Sequence, residues 1–333
     1  MRIFFSKLFL TSVIGPILLC FIGSASLEAQ TFISPQFSIS YLSAGYGVPM
    51  GLTFTSDGSK VFVWEKSGKV HVSNWNNSTK TYDLQTALAL DISEEVGDWG
   101  DYGLLGLALD PNFSTNGYIY LLYVVDRHHL LYFGTGQYNP ASNLYNNATI
   151  GRITRYTTLV NGSQETMANP AGRLVLLGET KSTGIPILHD SHGGVGSLVF
   201  ADDGTLLASA GDGASYDGID TGSNIATFFT QALTDGIIRA EENVGAFRSQ
   251  LVNPHNGKIL RLDPATGNGV SSNPYYDAGQ PRSAKSRVWA MGFRNPFRFI
   301  RKPGSGSTNP AIGDLGEIFM GMWDGINGKN LLS

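Results

Sequence analysis

Cysteine is almost missing from this 333-residue sequence, which contains a single one, Cys20. That residue lies inside an apolar N-terminal segment, so the rest of the chain has no thiol. Disulfides and cysteine-based metal sites are therefore excluded from everything that follows the segment.

Charge is also scarce, since only 15% of the residues are charged and the formal net charge is -4. Without a basic excess, nucleic acid is not expected as a partner. The chain is instead rich in glycine, with 41 residues, and aromatic residues make up 11%. This composition predicts an all-β protein with many tight turns.

One long apolar run is present, from Leu8 to Ile22, and it follows the basic residues Arg2 and Lys7. The run of about 15 residues is too short for a comfortable membrane span. Small residues come next, as they do before a signal peptidase site. We expect a signal peptide over residues 1–29, with an uncleaved anchor as the alternative.

The expected product is a mature domain over residues 30–333 that is secreted or periplasmic and has no stable membrane span. Export without disulfides fits a bacterial protein better than a eukaryotic one.

An apolar strand, an Asp/Gly turn and a second apolar strand recur along the chain. The clearest copy has strands at Ser197–Phe200 and Leu206–Ala210, joined by a turn that contains Gly204, which reaches a positive φ without steric cost. Similar units recur at intervals of roughly 50 to 90 residues, which predicts the repeated small sheets of a β-propeller. A β-sandwich is the alternative, and helices should be few, with one near Ile225 to Leu233.

Functional residue types flank this hairpin. His192 and Asp190 precede it in a glycine-rich loop, and Asp212 follows it between two glycines. Loops held by a rigid sheet commonly carry function. A plain polar turn is the competing interpretation of the first loop, and Asp212 is expected to fix a turn.

Four blocks of sequence occur in a characteristic order: GLLGLALDPNFSTNGYIYLLYVVD, HGGVGSLVFADDGTLLASAGDGAS, NGKILRLDPATG and SRVWAMGFRNPFRF. Together they resemble the glucose/sorbosone dehydrogenase family, soluble quinoproteins that bind pyrroloquinoline quinone (PQQ) on a six-bladed β-propeller. The resemblance extends roughly from Val48 to Phe299.

The resemblance implies roles for individual residues. His192 takes the place of the general base, and Asp190 lies near the place of its acidic partner. Arg294 and Asn295 take the place of residues beneath the quinone carbonyls, and Asp101 that of a further cofactor-site residue. The implied reaction oxidises an aldose sugar at C1 to the lactone and passes electrons to an external acceptor. A histidine near its ordinary pKa of about 6.5 suits proton removal from the hydroxyl.

Calcium is the second cofactor that the resemblance implies. The family continues with a strand and a G-D-x-G loop that helps to hold calcium and cofactor, and Gly321 matches its first glycine. Met322 stands where the aspartate is expected, so the loop is expected to be altered.

About four blades' worth of hairpins can be counted, fewer than a closed ring of six. An open ring leaves sheet edges exposed. The expected structure is therefore an incomplete propeller that lacks its C-terminal blades.

Two other functions stay open. One is a non-catalytic extracellular propeller that binds a carbohydrate or a protein. The other is a calcium-dependent lactonase on a similar propeller, for which no Glu/Asn/Asp cluster can be assembled from the sequence.

Overall fold

The fold is described from a computed structural model over residues 42, 45–160, 165–191, 194–324 and 329–332. All of these residues fall in one compact unit, Leu42–Ser333. His192 lies outside the described residues.

Strands dominate this unit. They are β1 (Pro49–Phe54), β2 (Lys60–Glu65), β3 (Lys69–Asn76), β4 (Thr81–Leu84), β5 (Leu90–Asp91), β6 (Leu104–Leu109), β7 (Tyr118–Val124), β8 (Thr149–Val160), β9 (Thr166–Leu177), β10 (Ile185–Ile187), β11 (Val195–Phe200), β12 (Leu206–Ala210), β13 (Lys258–Leu262), β14 (Val288–Met291), β15 (Arg298–Arg301), β16 (Ile318–Asp324) and β17 (Lys329–Leu332).

Helices in the described part of the chain are short, none longer than six residues. They are α1 (Phe113–Asn116), α2 (Arg127–Tyr132), α3 (Phe229–Thr234) and α4 (Ala284–Arg287), with two 3-10 turns at Ala240–Glu242 and Gly245–Gln250. None of the helices in this part of the chain is long and apolar enough to cross a membrane.

The strands form four separate antiparallel sheets in chain order. The first has the order β1-β2-β3-β4 with β5 on β3, and the second the order β10-β8-β7-β6 with β9 on β8. The third is β11-β12-β13-β14, and the described part of the fourth is β15-β16-β17. Consecutive antiparallel sheets of this size are typical of propeller blades.

The first strand of each sheet lies beside the first strand of the next, so that β1, β6, β11 and β15 are successive neighbours. Glycines allow this approach. A Cβ on Gly106 in β6 would lie 3.1 Å from the backbone nitrogen of Leu198 in β11. A Cβ on Gly196 in β11 would lie 2.5 Å from the carbonyl oxygen of Phe297, just before β15. The pairing of β6 with β7 and of β11 with β12 shifts register at these glycines, which marks a bulge in each first strand.

Each middle sheet buries both of its faces because successive side chains of a strand point to opposite sides. Leu121 in β7 packs into the core shared with the first sheet, and Leu122 into the core shared with the third. In β12, Leu206 faces the second sheet and Leu207 faces the fourth. A fully buried leucine contributes about 1.5–3 kcal/mol through the hydrophobic effect, so these layers hold the sheets together.

The turn between β11 and β12 is tied to the next strand by a buried ion pair. Nη2 of Arg261 in β13 lies 2.6 Å from Oδ2 of Asp203, and neither side chain is exposed. Arg261 also donates to the hydroxyl oxygen of Thr205 and to the carbonyl of Pro310. The guanidinium thus joins the third sheet to the segment between β15 and β16.

The mostly-β expectation is confirmed, and so is the hairpin around Gly204, whose φ is 78°. The expected helix near Ile225 to Leu233 is α3, displaced by a few residues. The four sheets are consistent with a propeller, while the six-bladed ring and the loss of C-terminal blades stay predictions.

The prediction that Gly321 lies in a loop is wrong. This residue lies in the middle of β16, paired with Arg298 on one side and with Leu332 on the other. Its backbone is therefore engaged in a sheet, because the apolar segment around it can pair with two neighbouring strands.

Replacing Arg261 with methionine should lower the free energy of unfolding by about 3–5 kcal/mol, because the Asp203 carboxylate would be left buried and unpaired. Urea denaturation measures the loss. The matched control is Lys302→Met, which removes a pair with Glu317 whose side chains are 55% and 57% exposed. That change should cost about 0–1 kcal/mol. Equal losses in the two variants would contradict the importance of the buried pair.

Candidate active site

The loop that precedes β6 contacts the loop that precedes β11. Tyr102, in the loop before β6, donates a hydrogen bond from its hydroxyl to the carbonyl of His189, in the loop before β11 (2.8 Å). Gly194 packs on the Tyr102 ring so closely that a Cβ there would lie 2.4 Å from a ring carbon. A side chain at this position would push the two loops apart.

Two further loops join them through the backbone. The amide of Gly211, at the end of β12, donates to the carbonyl of Gly194 (2.8 Å). The next amide, that of Asp212, donates to the carbonyl of Arg294 before β15 (3.0 Å). Residues far apart in sequence are thereby fixed in one cluster.

The strongest side-chain contact of the cluster joins Arg294 to Asp212. Nη1 of Arg294 lies 2.5 Å from Oδ1 of Asp212, and Nη2 donates to the carbonyls of Ala214 (3.3 Å) and Ser215 (3.1 Å). The Arg294 side chain is 32% exposed, while that of Asp212 is 2% exposed. The buried carboxylate therefore fixes a cation that still faces the outside.

Burial also changes the acidity of Asp212. It raises the pKa of this carboxyl group to about 6, although the positive charge of Arg294 acts in the opposite direction. Arg248 supports the same turn from beneath, since its Nη1 donates to the carbonyl of Asp212 (2.6 Å).

Two more carboxylates lie close to Tyr102. Burial, and then the charges of Asp101 and Asp190, raise the pKa of this tyrosine well above its usual range, and the charge of Arg294 acts against them. The four side chains therefore share one electrostatic environment. Tyr102 stays protonated there and can keep its hydrogen bond between the loops.

The Asp190 carboxylate contacts the neighbouring histidine. Its Oδ1 lies 2.8 Å from Nδ1 of His189, whose side chain is only 4% exposed, whereas that of Asp190 is 54% exposed. The outer edge of the His189 ring packs on Tyr216. His189 is thus a buried support for the loop, and Asp190 presents its carboxylate to the outside.

Asn295 is held beneath this surface. It is 8% exposed, and its backbone carbonyl accepts a hydrogen bond from the backbone amide of Phe297 (2.8 Å). The loop is anchored further along, where the amide of Phe299 donates to the hydroxyl of Ser197 in β11 (3.1 Å).

The arrangement brings together a partly exposed guanidinium, a buried carboxylate and two exposed carboxylates. Such a set can hold carbonyl or carboxylate oxygens of a ligand through Arg294 and accept hydrogen bonds from ligand hydroxyls through Asp101 and Asp190. No three His, Cys, Asp or Glu side chains in the described ranges converge as metal ligands would.

The sequence profile of the glucose/sorbosone dehydrogenase family matches residues 46–308, which is most of the chain. The chain belongs to this family. The match contains every one of the candidate residues except Gly321. A search of curated proteins found no match.

Solved structures share the fold at low sequence identity. One is an aldose sugar dehydrogenase from Streptomyces coelicolor in its PQQ-bound form, 18% identical over 84% of this chain and 57% of that chain, with a TM-score of 0.51. Another is a glucose dehydrogenase, 18% identical over 88% of this chain and 62% of that chain, with a TM-score of 0.53. The chain therefore spans about 60% of the length of these relatives.

The structure thus brings together Asp101, Asp190 and Arg294, with Asn295 beside them. The expected partnership of Asp190 with His192 stays a prediction, because His192 lies outside the described residues. Gly321 lies in a paired strand.

Asp212 was expected only to fix a turn. It does so, since its Oδ1 accepts from the amide of Ala214 (2.9 Å), but the same oxygen also binds Arg294. The sequence signal was available in the Gly-Asp-Gly that follows a buried strand. Its partner could not be recognised because it lies 82 positions further along the chain.

We expect Asp212→Asn to change how stability depends on pH. The folded-state pKa of about 6 exceeds the ordinary aspartate value of about 3.9, so the folded protein binds the proton more tightly. This contribution to stability is complete below about pH 4 and is lost as the pH rises through about 6. The difference in free energy of unfolding, variant minus wild type, should therefore rise by up to about 3 kcal/mol between about pH 4 and about pH 6.

Urea denaturation at a series of pH values measures this difference. Asp217→Asn, an exposed change in the same loop, leaves Asp212 in place and should keep the wild-type profile. An Asp212→Asn profile parallel to that of the wild type would rule out the raised pKa.

Proposed function

We propose that this chain carries the catalytic portion of a PQQ-dependent sugar dehydrogenase, which oxidises an aldose at C1 to the lactone. The observation that supports this most directly is the Arg294–Asp212 pair, with Asn295 beside it, in a chain of the glucose/sorbosone dehydrogenase family. The aldose sugar dehydrogenase of similar fold was solved with PQQ bound. This chain spans about 60% of the length of these relatives. The activity is therefore proposed for the whole protein to which the chain belongs.

The residues fit an anionic planar cofactor. Arg294 keeps 32% of its side chain exposed although it is already paired with Asp212, so its remaining surface is available to cofactor oxygens. Arg294 and Asn295 would hold the quinone end, and Asp101 would line the same site. When bound, PQQ would supply an electrophilic quinone that accepts two electrons in the form of one hydride. A fixed guanidinium there stabilises negative charge on oxygen.

His192 is proposed as the general base that removes the proton of the C1 hydroxyl. Asp190 lies two positions before it and exposes its carboxylate, so it could orient either the base or a sugar hydroxyl. The buried His189 is a poor candidate for the base, because its ring is enclosed and Nδ1 is already engaged by the loop.

Calcium stays a prediction, because no three His, Cys, Asp or Glu side chains converge in the described ranges, and calcium also binds backbone carbonyl oxygens and water. No role in the reaction is therefore assigned to calcium.

We propose that the protein is exported. The N-terminal 29 residues would be a signal peptide and residues 30–333 the propeller domain, which would place the protein in the periplasm or outside the cell. A small sugar is the proposed substrate, and an external acceptor would receive the electrons.

Titration of the purified mature chain with PQQ tests the proposal, followed by addition of glucose and an artificial dye. Binding should saturate, and sugar-dependent bleaching of the dye should follow. His192→Ala should lower turnover by at least about 100-fold with little change in PQQ affinity, since general-base catalysis contributes about 10²–10⁴-fold.

Arg294→Gln should weaken PQQ binding instead. Its control is Arg301→Gln, which removes a similar pair with Asp202 near the turn at the opposite end of β11 and should leave PQQ affinity unchanged. A folded wild-type chain that does not bind PQQ would reject the proposal and favour a non-catalytic propeller that binds a carbohydrate or a protein.

A further inference from the structure

A cavity of about 500 Å³ lies between the first two sheets. It is enclosed by the segment from β5 to Glu95, by the end of α2, and by β8 and β9. The residues assigned to the candidate active site are not among those that line this cavity, although Glu94 and Glu95 precede Tyr102 in the same connection before β6. It is therefore a separate site.

The floor of this cavity is a buried charge cluster around Glu95. Its Oε1 lies 2.6 Å from Nη1 of Arg152 and 2.7 Å from Nη2 of Arg173. The hydroxyl of Tyr123 donates to the same oxygen (2.5 Å). The Glu95 and Arg152 side chains are 7% and 9% exposed, whereas Arg173 keeps 31% of its surface exposed on the cavity side.

The cluster carries more positive than negative charge. Two guanidinium groups face one carboxylate, and the neighbouring His129 adds no charge near neutral pH because burial lowers its pKa to about 4. Buried charge is costly unless it is compensated. Within this inner cluster one guanidinium is in excess, and the exposed part of Arg173 can pair with an anion in the cavity.

A hydroxyl donor lies beside Arg173. The Tyr156 oxygen accepts from Nε of Arg173 (3.0 Å), so the hydroxyl hydrogen can be donated to a ligand. Burial raises the pKa of Tyr156 to about 12, so this hydrogen is retained at neutral pH. A guanidinium with an adjacent hydroxyl donor matches the two oxygens of a carboxylate.

The walls and the rim restrict the ligand further. Phe133 stacks on His129 with ring centroids 4.4 Å apart and also contacts Tyr138, yet it is 60% exposed, so part of its ring can pack on the C–H face of a sugar. At the rim, Asp91, Glu94 and Glu179 can accept hydrogen bonds from hydroxyls. Their negative charge disfavours a dianion such as a phosphate monoester.

We propose that this cavity binds a sugar acid, a pyranose with a single carboxylate, through Arg173, Tyr156 and Phe133. The carboxylate would lie against the guanidinium, the ring against the phenyl group, and the hydroxyls toward the acidic rim. The proposal does not depend on the redox function of the other site.

Calorimetric titration of the full chain with D-glucuronate tests the proposal, with glucose as the neutral comparison and glucose 6-phosphate as the dianion. Glucuronate should bind at least about tenfold more tightly than either, since charge-assisted hydrogen bonds are stronger than neutral ones. No glucuronate binding by a folded chain, or equal binding of glucose, would overturn the proposal.

Two variants locate the binding. Arg173→Gln should weaken glucuronate binding at least about tenfold, because one charge-assisted contact is removed. Arg294→Gln, which alters the candidate active site, should leave it unchanged. Loss of binding in Arg294→Gln alone would place glucuronate in the other site and overturn the proposal.

If Arg173→Gln fails to fold, Phe133→Ala decides the matter. Phe133 lies on the surface, so its removal should keep the thermal midpoint while weakening glucuronate binding several-fold. Unchanged affinity in this folded variant would overturn the proposal.

Discussion

Neighbouring sheets approach each other through the backbones of their first strands, and the rest of the structure depends on this contact. Gly106 and Gly196 leave no space for a side chain where β6 meets β11 and where β11 meets the segment before β15. Each glycine also lies at a register shift. The bulge turns the strand end toward the neighbouring sheet, so the loops that precede these strands meet.

The candidate active site is a direct result of this geometry. Its residues come from the loops before β6, β11 and β15 and from the loop after β12. These loops are separated from one another along the chain by whole strands. A backbone hydrogen bond joins Asp212 to Arg294, and an ion pair joins the side chains of the same two residues. The buried Asp212 carboxylate orients Arg294, whose side chain stays partly exposed.

The charged clusters around Arg294 and Glu95 compensate buried charge in different ways. At Arg294, one buried carboxylate holds one cation that reaches the surface. At Glu95, one carboxylate pairs with two guanidinium groups, and one of these, Arg173, stays partly exposed in a cavity. Arg261 and Asp203 form a third arrangement, a closed pair with no access to solvent, and its role is to join sheets. Access to solvent separates the groups that can bind a ligand from those that hold the fold.

The sequence by itself determined the local structure. The apolar strands and the Gly204 turn follow from side-chain alternation and from glycine's access to positive φ, and the order of four blocks indicated the family. Through this resemblance, Arg294, Asn295, Asp101 and Asp190 were expected to belong to one site.

Only the tertiary structure decided which charges meet. The pairs Asp212–Arg294 and Glu95–Arg173 join residues 82 and 78 positions apart. The strand around Gly321 likewise depends on pairing with two other strands. Local sequence determines backbone preference, whereas ion pairs and strand pairing depend on where distant segments are placed by the packing of the sheets.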